Sequence, residues 1–195
     1  MEHPGRTHRR KGLEFNSDPY KSRPAQAPRK HVAVSAARYA VFGRKEGPMY
    51  FRSEYAFLSN MYPATVKMRD GIVYSCAEAA FQAQKTYDIR VRWEFAKMSG
   101  AEAKKFGRQV ELRENWDSLR VLVMYCVVYR KFEQNRDLLG KLFETGNTEL
   151  VEENTWGDTF WGVCDGKGEN HLGIILMQVR KELLHKYCSY AVKCE

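Results

Sequence analysis

The chain has 195 residues, 44% of them hydrophobic and 13% aromatic, enough for one packed domain with extensions. The net charge of +8 is uneven: residues 1–47 hold 11 Lys/Arg against 4 Asp/Glu, and residues 48–195 hold 21 against 20. No run approaches the ~18 apolar residues of a membrane helix, and the basic, polar N-terminus lacks the apolar stretch of a secretory signal. The five cysteines, Cys76, Cys126, Cys164, Cys188 and Cys194, are odd in number and form no CxxC. They predict neither a disulfide framework nor a metal site, and reduced thiols fit a cytoplasmic protein or a nuclear one.

Residues 1–46 carry scattered prolines and basic side chains without a sustained apolar period, and are expected to be a disordered leader with at most a short element over 32–42. Such a leader can meet nucleic acid through counterion release, or it is a plain solvated extension. A domain over 47–187 follows, with 188–195 as a short tail. Tyr50-Phe51 and Val66–Tyr74 read as strands, the second stretch split by an Asp70-Gly71 hairpin turn. Helices are predicted over 76–86, from the Ser99-x-x-Glu102 capping box to Gly107, over 116–134, from Arg136 to Glu144, and over 171–186. In the 116–134 helix, Leu119, Val123, Cys126, Val127 and Arg130 recur on one side. In the last helix the seam is Leu172, Ile175, Leu176, Val179 and Leu183. These elements predict an α+β fold, mainly helical, with a small antiparallel sheet.

Several polar residues exceed what turns and caps require. Glu78 lies in a helical first turn beside Phe81, Gln82 and Lys85. It is either a solvated residue on the helix dipole or an inward carboxyl whose pKa burial raises toward acid–base use. Ser59 and Asn60 are ordinary turn residues, or part of a pocket wall. Gly107 permits a left-handed cap. Arg108 and Arg113 flank a gap between helices, where a guanidinium fork can bind phosphate. Trp116, at a helix start, either stacks on a base or plugs the core. Asn154–Gly162 packs Trp156, Asp158, Phe160 and Trp161 into nine residues, a composition suited to a sugar or base site or to a packed loop with a capping Asp158. Asn170 is the expected N-cap of the last helix, where a phosphate can also rest.

In chain order, Leu58–Pro63, Ser75-x-x-Glu78-x-x-Phe81–Lys85, Gly107-Arg108 and Arg113-x-x-Trp116 form an ordered set. It continues through Lys131–Asn135, Leu139–Leu150, Glu152, Asp158, Trp161-Gly162, Gly166–Gly173 and Leu176-Met177-x-x-Arg180. The set resembles the NADAR (YbiA-like) family of N-glycosidases, over about residues 50–184. The resemblance implies hydrolysis of a ribosyl C–N bond without a cofactor. The implied substrates are ADP-ribose conjugates, including ADP-ribosylated guanine, or the phosphoribosylated early intermediates of riboflavin synthesis. It implies that Glu78 is the catalytic acid, Trp116 the ring-stacking aromatic and Asp158 the second acid. Ser59, Asn60, Gln82, Lys85, Gly107, Arg108, Arg113, Trp161 and Asn170 are the expected substrate contacts. Two departures stand out: many members carry His-Tyr or an aromatic pair where this chain has Ala79-Ala80, which would widen the pocket or shift substrate choice, and the aromatic expected after Asn60 is Met61 here, a softer group of similar volume. A non-catalytic ADP-ribose or nucleotide-binding module is the alternative that the same residues allow.

Overall fold

A computed structural model describes residues 47–192, with side chains through Ser189. The expected leader and the last three residues lie outside the described residues. The elements are β1 (Met49–Tyr50), a 3-10 helix (Ser53–Leu58), β2 (Pro63–Lys67), β3 (Val73–Cys76), α1 (Ala77–Ala83), α2 (Ile89–Ala96) and α3 (Gly100–Phe106). There follow α4 (Trp116–Gln134), α5 (Arg136–Glu144), β4 (Leu150–Val151), β5 (Glu153–Asn154), β6 (Val163–Cys164) and α6 (His171–Val192). The fold is α+β and mainly helical, as expected. Its strands make three two-stranded ribbons: β2–β3 is antiparallel, whereas β1–β4 and β5–β6 are parallel. The strand read at Tyr50-Phe51 overlaps β1, but the parallel pairings carry no sequence signal, because every strand in them is two residues long.

The hairpin turns where Asp70-Gly71 predicts. Gly71 takes φ +86°, and Asp70 Oδ1 accepts the Ile72 backbone N–H at 3.0 Å. From β3 the chain passes directly into α1, whose cap is Cys76, its Sγ accepting the Ala79 N–H at 3.4 Å. All seven residues of α1 are buried. Its neighbours are α2, α3, α4 and the β2–β3 ribbon. An enclosed helix needs small side chains for close approach, which accounts for its four alanines. The capping box at Ser99 and Glu102 forms with both halves present.

Two expectations shift, and one helix is added where none was predicted. Residues 89–96 form α2, although Ile89, Val91, Trp93 and Phe95 alternate as a strand would. Phe95 is the buried residue of that helix, so it carries little of the 3.6 period. The buried face of α4 is Trp116, Met124, Val127, Val128, Lys131 and Phe132, set to one side of the expected seam. Lys131 is what hides this face in sequence: it is fully buried, its Nζ donating to Phe57 O at 2.7 Å and Ser59 O at 2.8 Å. That ammonium pins the end of the 3-10 helix to α4. The seam of α6 is buried as predicted, but the helix continues to Val192, through most of the expected tail. Among the described residues, no helix is long and apolar enough to cross a membrane.

Candidate active site

The N-terminus of α1, the Ser59–Met61 turn, α3, and the loops around β4–β6 surround a pocket of about 560 Å³. Glu78 stands in its wall, 8% exposed. Its Oε1 accepts a hydrogen bond from Gln82 Nε2 at 2.8 Å, one helical turn on. Burial raises its pKa above the ordinary carboxyl value, opposed by the Gln82 hydrogen bond and by Lys104 and Lys85, and reinforced by Asp158. Glu78 is therefore the desolvated carboxyl, not the solvated one.

Asp158 faces the same pocket from the loop after β5. Its Oδ1 accepts the backbone N–H groups of Trp161 at 2.9 Å and Phe160 at 3.2 Å, and its own backbone is gripped on both sides by the Asn154 amide. The loop that holds it is thus packed, and it also lines the pocket. Ser59, Asn60, Gln82, Arg108 and Trp161 also line the pocket. Asn60 is 7% exposed and donates through Nδ2 to Met124 Sδ at 3.2 Å, while its Oδ1 is buried without a hydrogen-bond donor.

Other expected contacts stand behind the wall. Trp116 is 7% exposed; Phe81 packs against its ring at 5.3 Å between centroids, and Arg113 stacks over it. The core role, one of the two open for it, is what the packing gives. The pocket's aromatic groups are Phe81, Trp161, whose ring meets Phe81 edge-on, and the exposed Trp156. Arg113 lies between Tyr87 and Trp116 rather than at the pocket, leaving Arg108 as the guanidinium there. Lys85 donates to Gly107 O at 2.9 Å, its pKa lowered by burial. Gly107 is not left-handed: φ is −65°. A Cβ there would sit 2.0 Å from Gln82 Oε1, so glycine makes room for the side chain that supports Glu78. Asn170 does not cap α6 with its side chain. It takes φ +52°, and its amide accepts from Glu152 N at 3.1 Å and donates to Leu150 O at 2.9 Å, tying the helix start to β4. Ala79 and Ala80 are fully buried in the core and do not line the pocket.

Two lining residues carry charge that had no assigned role. Lys104 follows from α3 geometry, being one turn before Arg108 on the same face. Glu152 sits between β4 and β5; its backbone N–H is held by Asn170, and its carbonyl accepts from Val163 N at 2.8 Å. Burial, then the charge of Asp158, pushes its carboxyl up to about 7, with Glu78 adding and Lys104 and Lys131 opposing. In the sequence it was one member of the ordered family set, with no role attached to it. Among the described residues, no group of His, Cys, Asp and Glu has the arrangement of a metal site.

Carboxylates converging with aromatic faces in one cleft define a class: enzymes that cut a bond at a sugar carbon. The NADAR domain model matches residues 48–184. N-glycosidase YbiA of Escherichia coli is 37% identical over 134 residues, which are 67% of this chain and 82% of that protein. N-glycosidase Npun_R5314 of Nostoc punctiforme is 34% identical over 136 residues. A riboflavin biosynthesis protein of Vibrio vulnificus is 39% identical over 145 residues; the match spans 71% of this chain but only 39% of that relative's length. The NMR structure of E. coli YbiA superposes with a TM-score of 0.66 at 34% identity, covering 74% of this chain and 89% of that one. The chain belongs to the NADAR family, whose YbiA members are hydrolases of N-glycosyl bonds.

Proposed function

We propose that this chain hydrolyses a ribosyl C–N bond, in an ADP-ribosylated nucleobase such as guanine or in a phosphoribosylated intermediate of riboflavin synthesis. The observation that carries the proposal is the meeting of Glu78 and Asp158 across one aromatic-walled pocket. Cleavage builds positive charge on the ribosyl ring, and carboxylates in a desolvated cleft stabilise it. Glu78, raised in basicity by burial, takes the proton from the attacking water. Asp158, fixed by two backbone N–H groups, meets the ribosyl hydroxyls or the developing cation. Trp161 and Phe81 flank the ribosyl or base ring, and Arg108 with Lys104 meets phosphate. The basic residues 1–46 would add affinity for a nucleic-acid substrate, and the cytoplasm is the compartment this reading assumes.

Incubation with ADP-ribosyl-guanine DNA and, separately, with ribosylamino-pyrimidine phosphates tests the proposal by mass spectrometry. Free ADP-ribose with restored guanine in the DNA, or free aminopyrimidine with ribose 5-phosphate, from at least one is the expected result. Tight binding of ADP-ribose without any bond cut from either substrate would mean a binding module instead.

A further inference from the structure

Three acceptors in the pocket wall lack the donors that buried oxygen atoms require. Gln82 Oε1 is one, on the side chain whose Nε2 serves Glu78. Asn60 Oδ1 is the second, on a residue 7% exposed whose Nδ2 is already committed to Met124. Glu152 Oε2 is the third. A buried carboxylate oxygen without a donor is costly, and a carboxyl that keeps its proton avoids that cost. Glu78 differs, because Gln82 Nε2 donates to its Oε1 and an N–H donor favours the ionised form. The two glutamates thus stand in one pocket with opposite support: an amide donor for Glu78, none for Glu152 Oε2. Glu152 also cannot withdraw readily. Gly162 is packed so closely that a Cβ would lie 2.1 Å from Glu152 O and 2.9 Å from its Cγ, and Asn170 holds its N–H.

We propose that Glu152 is a further catalytic residue of this site, the general acid that protonates the departing nitrogen. This rests on the N-glycosidase reading above. In the step, the C1′–N bond breaks with its electron pair moving onto nitrogen, which takes the Glu152 carboxyl proton. Water adds to C1′ and gives a proton to the Glu78 carboxylate. ADP-ribose or ribose 5-phosphate leaves with the neutral nitrogen partner, Glu152 is now ionised and Glu78 protonated, and exchange with solvent restores both. The charged groups facing Glu152 suit this division. Asp158 and Glu78 favour its protonated form, Lys104 and Lys131 oppose them, and burial is the largest influence, placing its titration near 7. Two carboxyls whose environments set them apart are the usual basis of an acid–base pair. Asn60 Oδ1 would accept an N–H of the leaving group or a ribosyl hydroxyl, so a donor-rich leaving group such as an amine or amidine nitrogen fits this wall.

The test is the pH profile of kcat/KM from 5 to 9 for wild type, Glu152→Gln, Glu152→Asp and Glu78→Gln, on whichever of the two substrates wild type cleaves. Wild type should fall off above about 7, as Glu152 ionises. Glu152→Gln should lose about 10²–10⁴-fold below that limb and lack the limb altogether. Glu152→Asp should keep it with partial activity. Glu78→Gln should remove the acidic limb instead. Circular dichroism and a melting curve establish that each variant is folded, and the retained shape of Gln makes that the expected outcome. An alkaline limb that persists in Glu152→Gln, a loss under tenfold, or an Asp variant no better than Gln overturns the role of Glu152 alone. Wild type that cuts neither substrate overturns the glycosidase reading, and the acid assignment with it.

Discussion

Replacing Glu152 by Gln should make the folded protein more stable, and increasingly so as pH rises. In the unfolded chain this carboxyl ionises near its ordinary 4.5, whereas in the fold it does so near 7. Between those values the native protein holds a proton that the unfolded chain has released. The unfolding free energy therefore falls as pH rises through the window, and is level again above about 7. A displacement from 4.5 to about 7 is worth about 3 kcal/mol. The glutamine carries no charge, so its stability lacks this contribution. The gap between variant and wild type should grow by about 3 kcal/mol from pH 4.5 to 7.5, equivalent to roughly 6–12 °C in Tm for a domain of this size. Urea unfolding at half-unit pH steps reads it directly, and taking the difference cancels every other titrating group that the substitution leaves alone. A gap that stays constant across the range would show that Glu152 is not desolvated among the acids, and the electrostatic account of the pocket would fall. A stabilising loss of a functional acid is what a strained active site predicts.

Four other substitutions separate wall from scaffold. Gly107→Ala drives a methyl group into Gln82 Oε1 and should break the Gln82–Glu78 hydrogen bond, lowering kcat more than tenfold while Tm falls by only a few degrees; unchanged kcat would mean that Gln82 does not support Glu78. Trp116→Ala should cost about 3–5 kcal/mol in urea unfolding, as a core truncation, whereas Trp161→Ala should raise KM with a smaller stability loss; the opposite ranking in KM would return Trp116 to the substrate. Lys131→Met leaves Phe57 O and Ser59 O without their donor and should lower Tm while raising KM through the Ser59–Asn60 turn, seen by melting and steady-state kinetics side by side.

What could be read in the sequence was local. The Asp70-Gly71 turn, the Ser99–Glu102 box and the α6 seam are each settled within a few residues, and each stands where the pattern put it. Glu78 was visible as a carboxyl among apolar neighbours; its burial depends on α3 and the loop around Asp158, which enclose it from a distance. What the sequence hid was set by contacts between remote segments. Trp116 and Trp161 are alike as residues, and only the position of Phe81 between them decides which ring meets the pocket. Gly107 read as a helix stop, yet its lack of a side chain serves Gln82, twenty-five positions earlier. Lys131 broke the apolar period of α4 because its amine satisfies carbonyls seventy residues away. Glu152 stood in the ordered family set without a role, and neither its missing donor nor its close neighbours are local facts.

The central claim is that the buried carboxyl of Glu78 turns over a ribosyl C–N bond. Folded wild type and folded Glu78→Gln, given the same ADP-ribosyl-guanine DNA or ribosylamino-pyrimidine phosphate, should differ in free ADP-ribose or ribose 5-phosphate released per enzyme per minute. The account predicts multiple turnovers by wild type and a loss of at least about 10²-fold in the variant. Equal turnover by the two proteins, or ligand retained by wild type with no free ADP-ribose or ribose 5-phosphate released, would contradict it.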